Sequence, residues 1–293
     1  MGRPNRFQIM ELYQNDIIAA LKGHGKKILN FEEINGTLLK NGNEWRLPKT
    51  TTAHDLLDFL VHQKKILREV NVFGNSRYVF KNKQVTPTEF ALSLHSNLYL
   101  SHYSAVSFHD LTNEIVKSIY VNKEQTKKAG SDVPHEELIQ ENIDKAFSKP
   151  MRKTRSFFEV EGQRIYVLNG RYTNRLGVKE INGVAVTDLE RTLIDIAVRP
   201  DYAGGVYEVV SIYKRAKGQI SANKLRMYLQ KLNYIYPYHQ TIGFYLECAG
   251  FNEIALRIME SFPMKNDFYL TYSIPDREYS ERWRLYYPKY FEN

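Results

Sequence analysis

Apolar residues recur at helical spacing through the first part of the chain. Ile17, Ile18 and Leu21 fall on one face of a segment over residues 16–21, and Gly23-His24-Gly25 ends it. Asn30 with Glu33 three residues on has the spacing of a capping box, which predicts a second helix over 31–40 with Phe31, Ile34 and Leu38 inward. Asn41-Gly42-Asn43 stops it. Thr52 and Asp55 form another such pair after Lys49-Thr50-Thr51, and Leu56, Leu57, Leu60 and Val61 make the inward stripe of a third helix. β-rich runs at 66–73 and 77–80, separated by Gly74-Asn75-Ser76, predict a hairpin. Three short helices followed by a hairpin predict a winged helix-turn-helix over residues 1–86.

Thr86-Pro87 is the expected boundary, since proline restricts the residue before it. Beyond it the pattern mixes helices and strands, so the whole is expected to be an α+β protein whose larger, mixed α/β domain spans 87–293. Helices are expected at 88–96 and 101–111, then a strand at 118–121 and a polar insertion over 125–149. Strands at 164–168 and 177–181 follow, and Asn182-Gly183 is a two-residue turn into a strand at 184–186. Thr187 with Glu190 has capping-box spacing and predicts a helix to Ala197, halted by Pro200. Helices at 205–214, 222–232, 239–249 and 253–261 precede a terminal hairpin of 268–272 with 284–287.

Composition narrows the class. Of 293 residues 43% are hydrophobic and 25% charged, as in folded globular proteins. Residues 1–30 lack a signal-peptide pattern, and no run approaches the roughly 18 apolar residues of a membrane span. The single cysteine, Cys248, excludes an intrachain disulfide and a cysteine-based zinc cluster, and its neighbours suit a small buried hydrophobe. A cytoplasmic protein with no membrane partner is expected. The net charge of +8 is uneven: residues 1–85 hold 14 Lys and Arg against 8 Asp and Glu, the remainder 27 against 25. A basic small domain on a nearly neutral large one points to a polyanion partner for the former.

Three ordered segments carry a family likeness. The run from Tyr99 to Thr112, with Ser101-His102-Tyr103-Ser104-Ala105 and His109-Asp110-Leu111-Thr112, resembles a hallmark of the AbiEi-type antitoxins of abortive-infection (type IV) toxin–antitoxin systems. The run from Val186 to Asp195, followed by Arg199-Pro200 and Gly204-Gly205, resembles that family's second hallmark. Gly243 to Gly250 with the Trp283–Pro288 ending resembles a third. Asn75-Ser76-Arg77-Tyr78 departs from the family's usual Arg-Gly-x-Tyr wing, and the 125–149 insertion is longer than the family's. The resemblance implies a protein that binds the promoter DNA of its own operon through the N-terminal domain and represses it. It also implies that the C-terminal domain neutralises a nucleotidyltransferase-like toxin, with no enzymatic activity.

A recognition helix turns donors and acceptors outward to base edges. Lys49, Thr51, Thr52 and His54 stand outward if Leu56, Leu57 and Leu60 are buried, while Arg77 and Lys81 on the hairpin, and Lys26 and Lys27 before the second helix, suit phosphates. Asp188, Glu190 and Asp195 admit an alternative, a metal-dependent nuclease, but Thr187 and Glu190 read as a cap and Arg191 pairs with Asp195 along the helix. A regulator without a toxin is the other alternative. His95, His102 and His109 recur every seven residues, the wrong spacing for zinc, so His102 and His109 are expected to hydrogen-bond backbone or hydroxyl groups. No phosphate loop or nucleophile elbow occurs, so neither cofactor nor metal is expected. The stretch 145–179 holds nine Lys and Arg against Glu159 and Glu161 and is interleaved with Phe157, Phe158, Tyr166 and Tyr172. It suits a toxin's acidic face, nucleic acid, or a plain solvated sheet.

Overall fold

In the computed structural model residues 4–72, 74–127, 138–289 and 291 are described, and the chain divides into two compact units, Met1–Leu94 and His95–Asn293. The architecture is mixed α+β.

In the first unit α1 (Arg6–Leu12) and α2 (Gln14–Lys22) lead into β1 (Ile28–Leu29), α3 (Phe31–Asn41) and α4 (Ala53–Leu57). The hairpin of β2 (Leu67–Val72) and β3 (Asn75–Phe80) comes next, then α5 (Pro87–Leu92). Both expected capping boxes are present: Asn30 Oδ1 accepts from the Glu33 N–H and Glu33 Oε2 from the Asn30 N–H, each at 2.9 Å. Thr52 Oγ1 accepts from the Asp55 N–H at 3.2 Å and Asp55 Oδ2 from the Thr52 N–H at 2.8 Å. An unforeseen box, Asn5 with Gln8, starts α1.

The third helix does not keep α winding. After Leu57 it widens into a π-helical stretch, Asp58–Gln63, in which the Lys64 N–H reaches back to the Phe59 carbonyl at 2.8 Å. The wider turn carries Phe59 into the core beside Leu56 and Leu60, while Val61 is left half-buried. Phe31, expected inside, is 36% exposed. β1 pairs with β3, giving an antiparallel sheet of order β1-β3-β2 over a core of Met10, Ile17, Leu21, Ile34 and Leu67. Thr86-Pro87 is not a linker. Thr86 caps α5 and Pro87 sits in its first turn, where a missing N–H costs nothing. Phe90 and Ala91 are fully buried, and α5 belongs to the first unit.

The second unit opens with β4 (Tyr99–Leu100), α6 (His102–Phe108) and β5 (Ser118–Glu124). The polar insertion contains α7 (Gln140–Phe147), and its residues 128–137 lie outside the described ones. β6 (Phe158–Val160), β7 (Gln163–Gly170), β8 (Val178–Ile181) and β9 (Val184–Thr187) complete a six-stranded mixed sheet of order β6-β7-β5-β4-β9-β8. The β8–β9 turn is Asn182-Gly183, both with positive φ, as the dipeptide predicted. β4, too short to read from sequence, bridges the halves, antiparallel to β5 and parallel to β9.

After the sheet come α8 (Leu189–Val198), a 3-10 turn at Pro200–Ala203, α9 (Val206–Ala216), α10 (Ala222–Leu232), α11 (Tyr238–Cys248) and α12 (Glu253–Glu260). α8 starts differently from expectation. Its cap is Asp188, whose Oδ1 accepts from the Arg191 N–H at 3.0 Å, while the Thr187 hydroxyl turns to Thr192 Oγ1 at 2.8 Å and Glu190 to α10. The terminal sheet is also different. β10 (Phe268–Tyr269) runs parallel to β12 (Leu285–Pro288), and the antiparallel partner of β12 is β11 (Arg277–Ser280). Among the described residues no helix is long and apolar enough to cross a membrane.

α11 is the central helix, buried without a break from Tyr238 to Leu246. Trp283, fully buried, lies flat against it where Gly243 leaves room: a Cβ there would stand 2.1 Å from Trp283 Cζ3. The indole N–H donates to Glu247 Oε2 at 2.7 Å, and Gln240 Nε2 donates to the Trp283 carbonyl at 2.7 Å. Gly243→Ala is therefore expected to lower the unfolding free energy by roughly 2–3 kcal/mol through overpacking. Urea denaturation of the intact chain checks it, and a change within about 0.5 kcal/mol of parent would show that the helix and indole separate freely.

Candidate nucleic-acid interface and the buried charge cluster

The expected DNA-facing residues all fall in the first unit, but only some have free side chains. Lys49 and His54 are exposed at the entry to α4, and the His54 ring lies 5.0 Å from Phe31 at the start of α3. The Thr52 hydroxyl is committed to the cap, accepting from the Asp55 N–H and donating to Asp55 Oδ2 at 2.8 Å. Burial alone would raise the Asp55 carboxyl, but the Thr52 donors and Arg6, 2.5 Å away, hold it below its ordinary value. The Thr51 hydroxyl is buried with no partner, so this side chain presents its oxygen to the interior rather than to a groove. His62, exposed further along the same helix, was missed because the inward stripe was continued with α periodicity through the π-helical stretch.

Lys81 is exposed, but Arg77 is not the outward phosphate ligand its position suggested. Its Nη2 donates to the Leu94 carbonyl at 2.6 Å and its Nη1 to the Ser76 carbonyl at 3.0 Å. Lys26 pairs with Glu33 and Lys27 with Glu89. Both lysines are exposed, and such pairs contribute about 0–1 kcal/mol, so a phosphate can replace either carboxylate.

In the second unit Asp188, Glu190 and Asp195 are all buried and met by protein donors. Asp188 Oδ2 accepts from the Tyr228 hydroxyl at 2.7 Å and lies 3.2 Å from Lys224 Nζ. Glu190 accepts from Lys224 Nζ at 2.7 Å and from the Ser221 N–H at 2.9 Å. Burial would lower the Lys224 ammonium, yet these two carboxylates hold it above its ordinary value. Asp195 accepts from Arg191 Nε at 2.8 Å. Among the described residues no three His, Cys, Asp or Glu side chains are grouped to hold a metal ion.

His102 and His109 meet a hydroxyl and a backbone carbonyl. His102 Nδ1 lies 2.9 Å from Ser101 Oγ, and His109 Nε2 lies 2.6 Å from the Thr187 carbonyl, tying α6 to the start of α8. Cys248 is half-buried, its thiol pushed up to about 12 by burial and Glu247. The basic stretch is largely knitted into the fold. Arg171 donates to the Leu232 carbonyl, Arg175 to the Asn97 carbonyl at 2.7 Å, and Lys153 pairs with Asp201. Arg164 lies over Phe157, and Tyr166 stacks on Tyr120 at 5.2 Å.

Burial lowers the imidazoles of both His102 and His239 to about 4. In the unfolded chain they protonate near 6.5, so between about 4 and 6.5 the unfolded state binds more protons. Stability is then full above about pH 6.5 and declines as pH falls towards 4. His239 Nε2 is buried without a partner and its ring stacks on Phe262 at 4.9 Å. His239→Leu should narrow the gap between melting temperatures measured at about pH 7.5 and pH 5. An undiminished gap would count against this histidine as a source of acid sensitivity.

Comparison with known proteins shows the fold and no more. No protein-family model matches the chain, and no curated protein matches its sequence. A crystal structure of the RV2827C protein from Mycobacterium tuberculosis is similar, with a TM-score of 0.60 at 11% identity over 94% of this chain and 91% of that one. The chain thus shares its fold with a solved protein to which its sequence is barely related.

Proposed function

We propose that the chain is an autoregulating antitoxin: its first unit is a winged helix-turn-helix that binds the promoter of its own operon, and its second unit neutralises a nucleotidyltransferase-like toxin. The observation that carries the DNA-binding half is the order of elements in the first unit. A helix, a short strand, two further helices and a hairpin follow one another, and the short strand closes the sheet against β3. The second of those two helices keeps its apolar residues inward and begins with exposed Lys49 and His54, in a unit of net positive charge. The antitoxin half rests on the resemblance of three segments in the second unit, two of which meet in the sheet. Leu100 of the first bridges to Val186 of the second, and within the third Trp283 lies on Gly243.

Electrophoretic mobility shifts with the intact chain and the DNA upstream of its own gene test the first half. If 6–10 phosphates are contacted, affinity falls by roughly three to five decades between 50 and 200 mM salt. Lys49→Ala should flatten the salt slope by about one unit. His54→Ala should reduce the preference for promoter over random DNA by about 1–3 kcal/mol if a base contact is lost. Arg77→Ala should lower the melting temperature and leave the salt slope unchanged. A slope change from Arg77→Ala with none from Lys49→Ala would place the contact surface on the hairpin instead.

Growth rescue by co-expression with the neighbouring toxin gene tests the second half. Asp188→Asn loses charge against Lys224 but keeps a capping oxygen, so it should reduce thermal stability and still rescue. Lost rescue with an unchanged melt would make Asp188 a functional carboxylate. No toxicity from any neighbouring gene would leave a DNA-binding regulator alone.

A further inference from the structure

Part of the basic stretch is paired within the second unit, and three of its other cations gather in one place. Lys145 on the last turn of α7, Lys149 and Arg152 just beyond it, and Arg199 after α8 line a cavity of about 470 Å³ together with Tyr236 and Tyr272. This is within the roughly 300–1,000 Å³ range of small-molecule sites. Among the described residues no carboxylate lines it. The acidic residues nearest in sequence are engaged elsewhere, Asp144 with Gln140 and the Tyr269 hydroxyl and Asp201 with Lys153. Four cations around a concave protein wall raise one another's energy and concentrate anions.

Two further features define the ligand. Arg199 is fixed by an Nη2 bond to the Arg152 carbonyl at 2.6 Å and by the Tyr202 ring beneath it. A planar guanidinium suits a phosphate. Tyr236 and Tyr272 are set by Phe147, with ring centroids 5.2 and 4.3 Å away, and remain partly exposed. Held aromatic rings beside a cationic wall suit a nucleobase joined to phosphates.

We propose that this cavity binds a nucleoside triphosphate, its phosphates on Lys145, Lys149, Arg152 and Arg199 and its base against Tyr236 and Tyr272. A volume of about 470 Å³ accommodates a mononucleotide. The site stands independently of the promoter-binding and toxin readings.

Isothermal titration of the intact chain with ATP, tripolyphosphate, adenosine and a 12-nucleotide single strand tests it. ATP should bind, tripolyphosphate roughly tenfold or more weakly for want of stacking, and adenosine undetectably. Lys145→Glu/Lys149→Glu changes two exposed side chains and should keep the parent melting temperature while weakening ATP at least about tenfold. Arg199→Lys, which keeps the charge and loses the fork, should weaken ATP by a smaller factor. No heat from ATP with the parent, or equal ATP affinity in parent and double variant, overturns the site. Tripolyphosphate binding as tightly as ATP overturns the nucleoside part. Binding of the single strand alone, lost in the double variant, overturns the mononucleotide in favour of nucleic acid.

Discussion

The second unit is organised around one buried guanidinium. Arg191 is 5% exposed, and an arginine keeps its charge at any depth, so every N–H must find an acceptor where the chain places it. Its Nε takes Asp195 one turn along α8, and its Nη1 takes the Leu176 carbonyl at 2.7 Å and Thr173 Oγ1 at 3.3 Å. Thr173 in turn donates through its N–H and hydroxyl to Glu124 at the end of β5. One side chain thus ties α8 to the loop before β8 and, through Thr173, to a central strand. The approach is close enough to dictate Gly177, where a Cβ would lie 2.7 Å from Arg191 Cβ and φ is +76°. Removing one partner of such a buried pair typically costs about 3–5 kcal/mol, far more than any surface pair in the molecule contributes.

That tie explains why the acidic residues of α8 carry protein partners. The helix enters from β9 through Asp188, and its first turn is met by Lys224 and Tyr228 of α10. Opposite charges on two packed helices fix their register, and the same burial that makes them expensive makes them specific. His109 adds a bond from α6 to the Thr187 carbonyl at the same junction. The segments that carry the family likeness therefore coincide with places where the chain meets itself.

In the first unit the balance differs. Its charges sit mostly on the surface, and its shape comes from apolar stripes closed by reciprocal caps at Asn5, Asn30, Thr52 and Thr86. Surface lysines leave a positive unit whose cations are easily re-paired, which suits a polyanion partner.

What the sequence determined by itself were the local features. The caps at Asn30 and Thr52 depend on residues three apart, the Asn182-Gly183 turn on two backbone conformations, and the apolar stripes on helical period, so short windows suffice to read them. The charge asymmetry that marks the first unit was equally legible. Tertiary structure decided every feature in which a side chain had distant competitors. Thr187 and Glu190 had the spacing of a cap, but Thr192, Ser221 and Lys224 claimed them and Asp188 became the cap. Arg77 read as a phosphate ligand until the Leu94 carbonyl took it. β4 is two residues long and β10 pairs in parallel, so neither exists without partners far along the chain. The cationic cavity follows the same rule. Lys145, Lys149 and Arg152 stood out in sequence, but Arg199, Tyr236 and Tyr272 join them only because packing brings α7, the end of α8 and the residues after α10 and β10 to one wall.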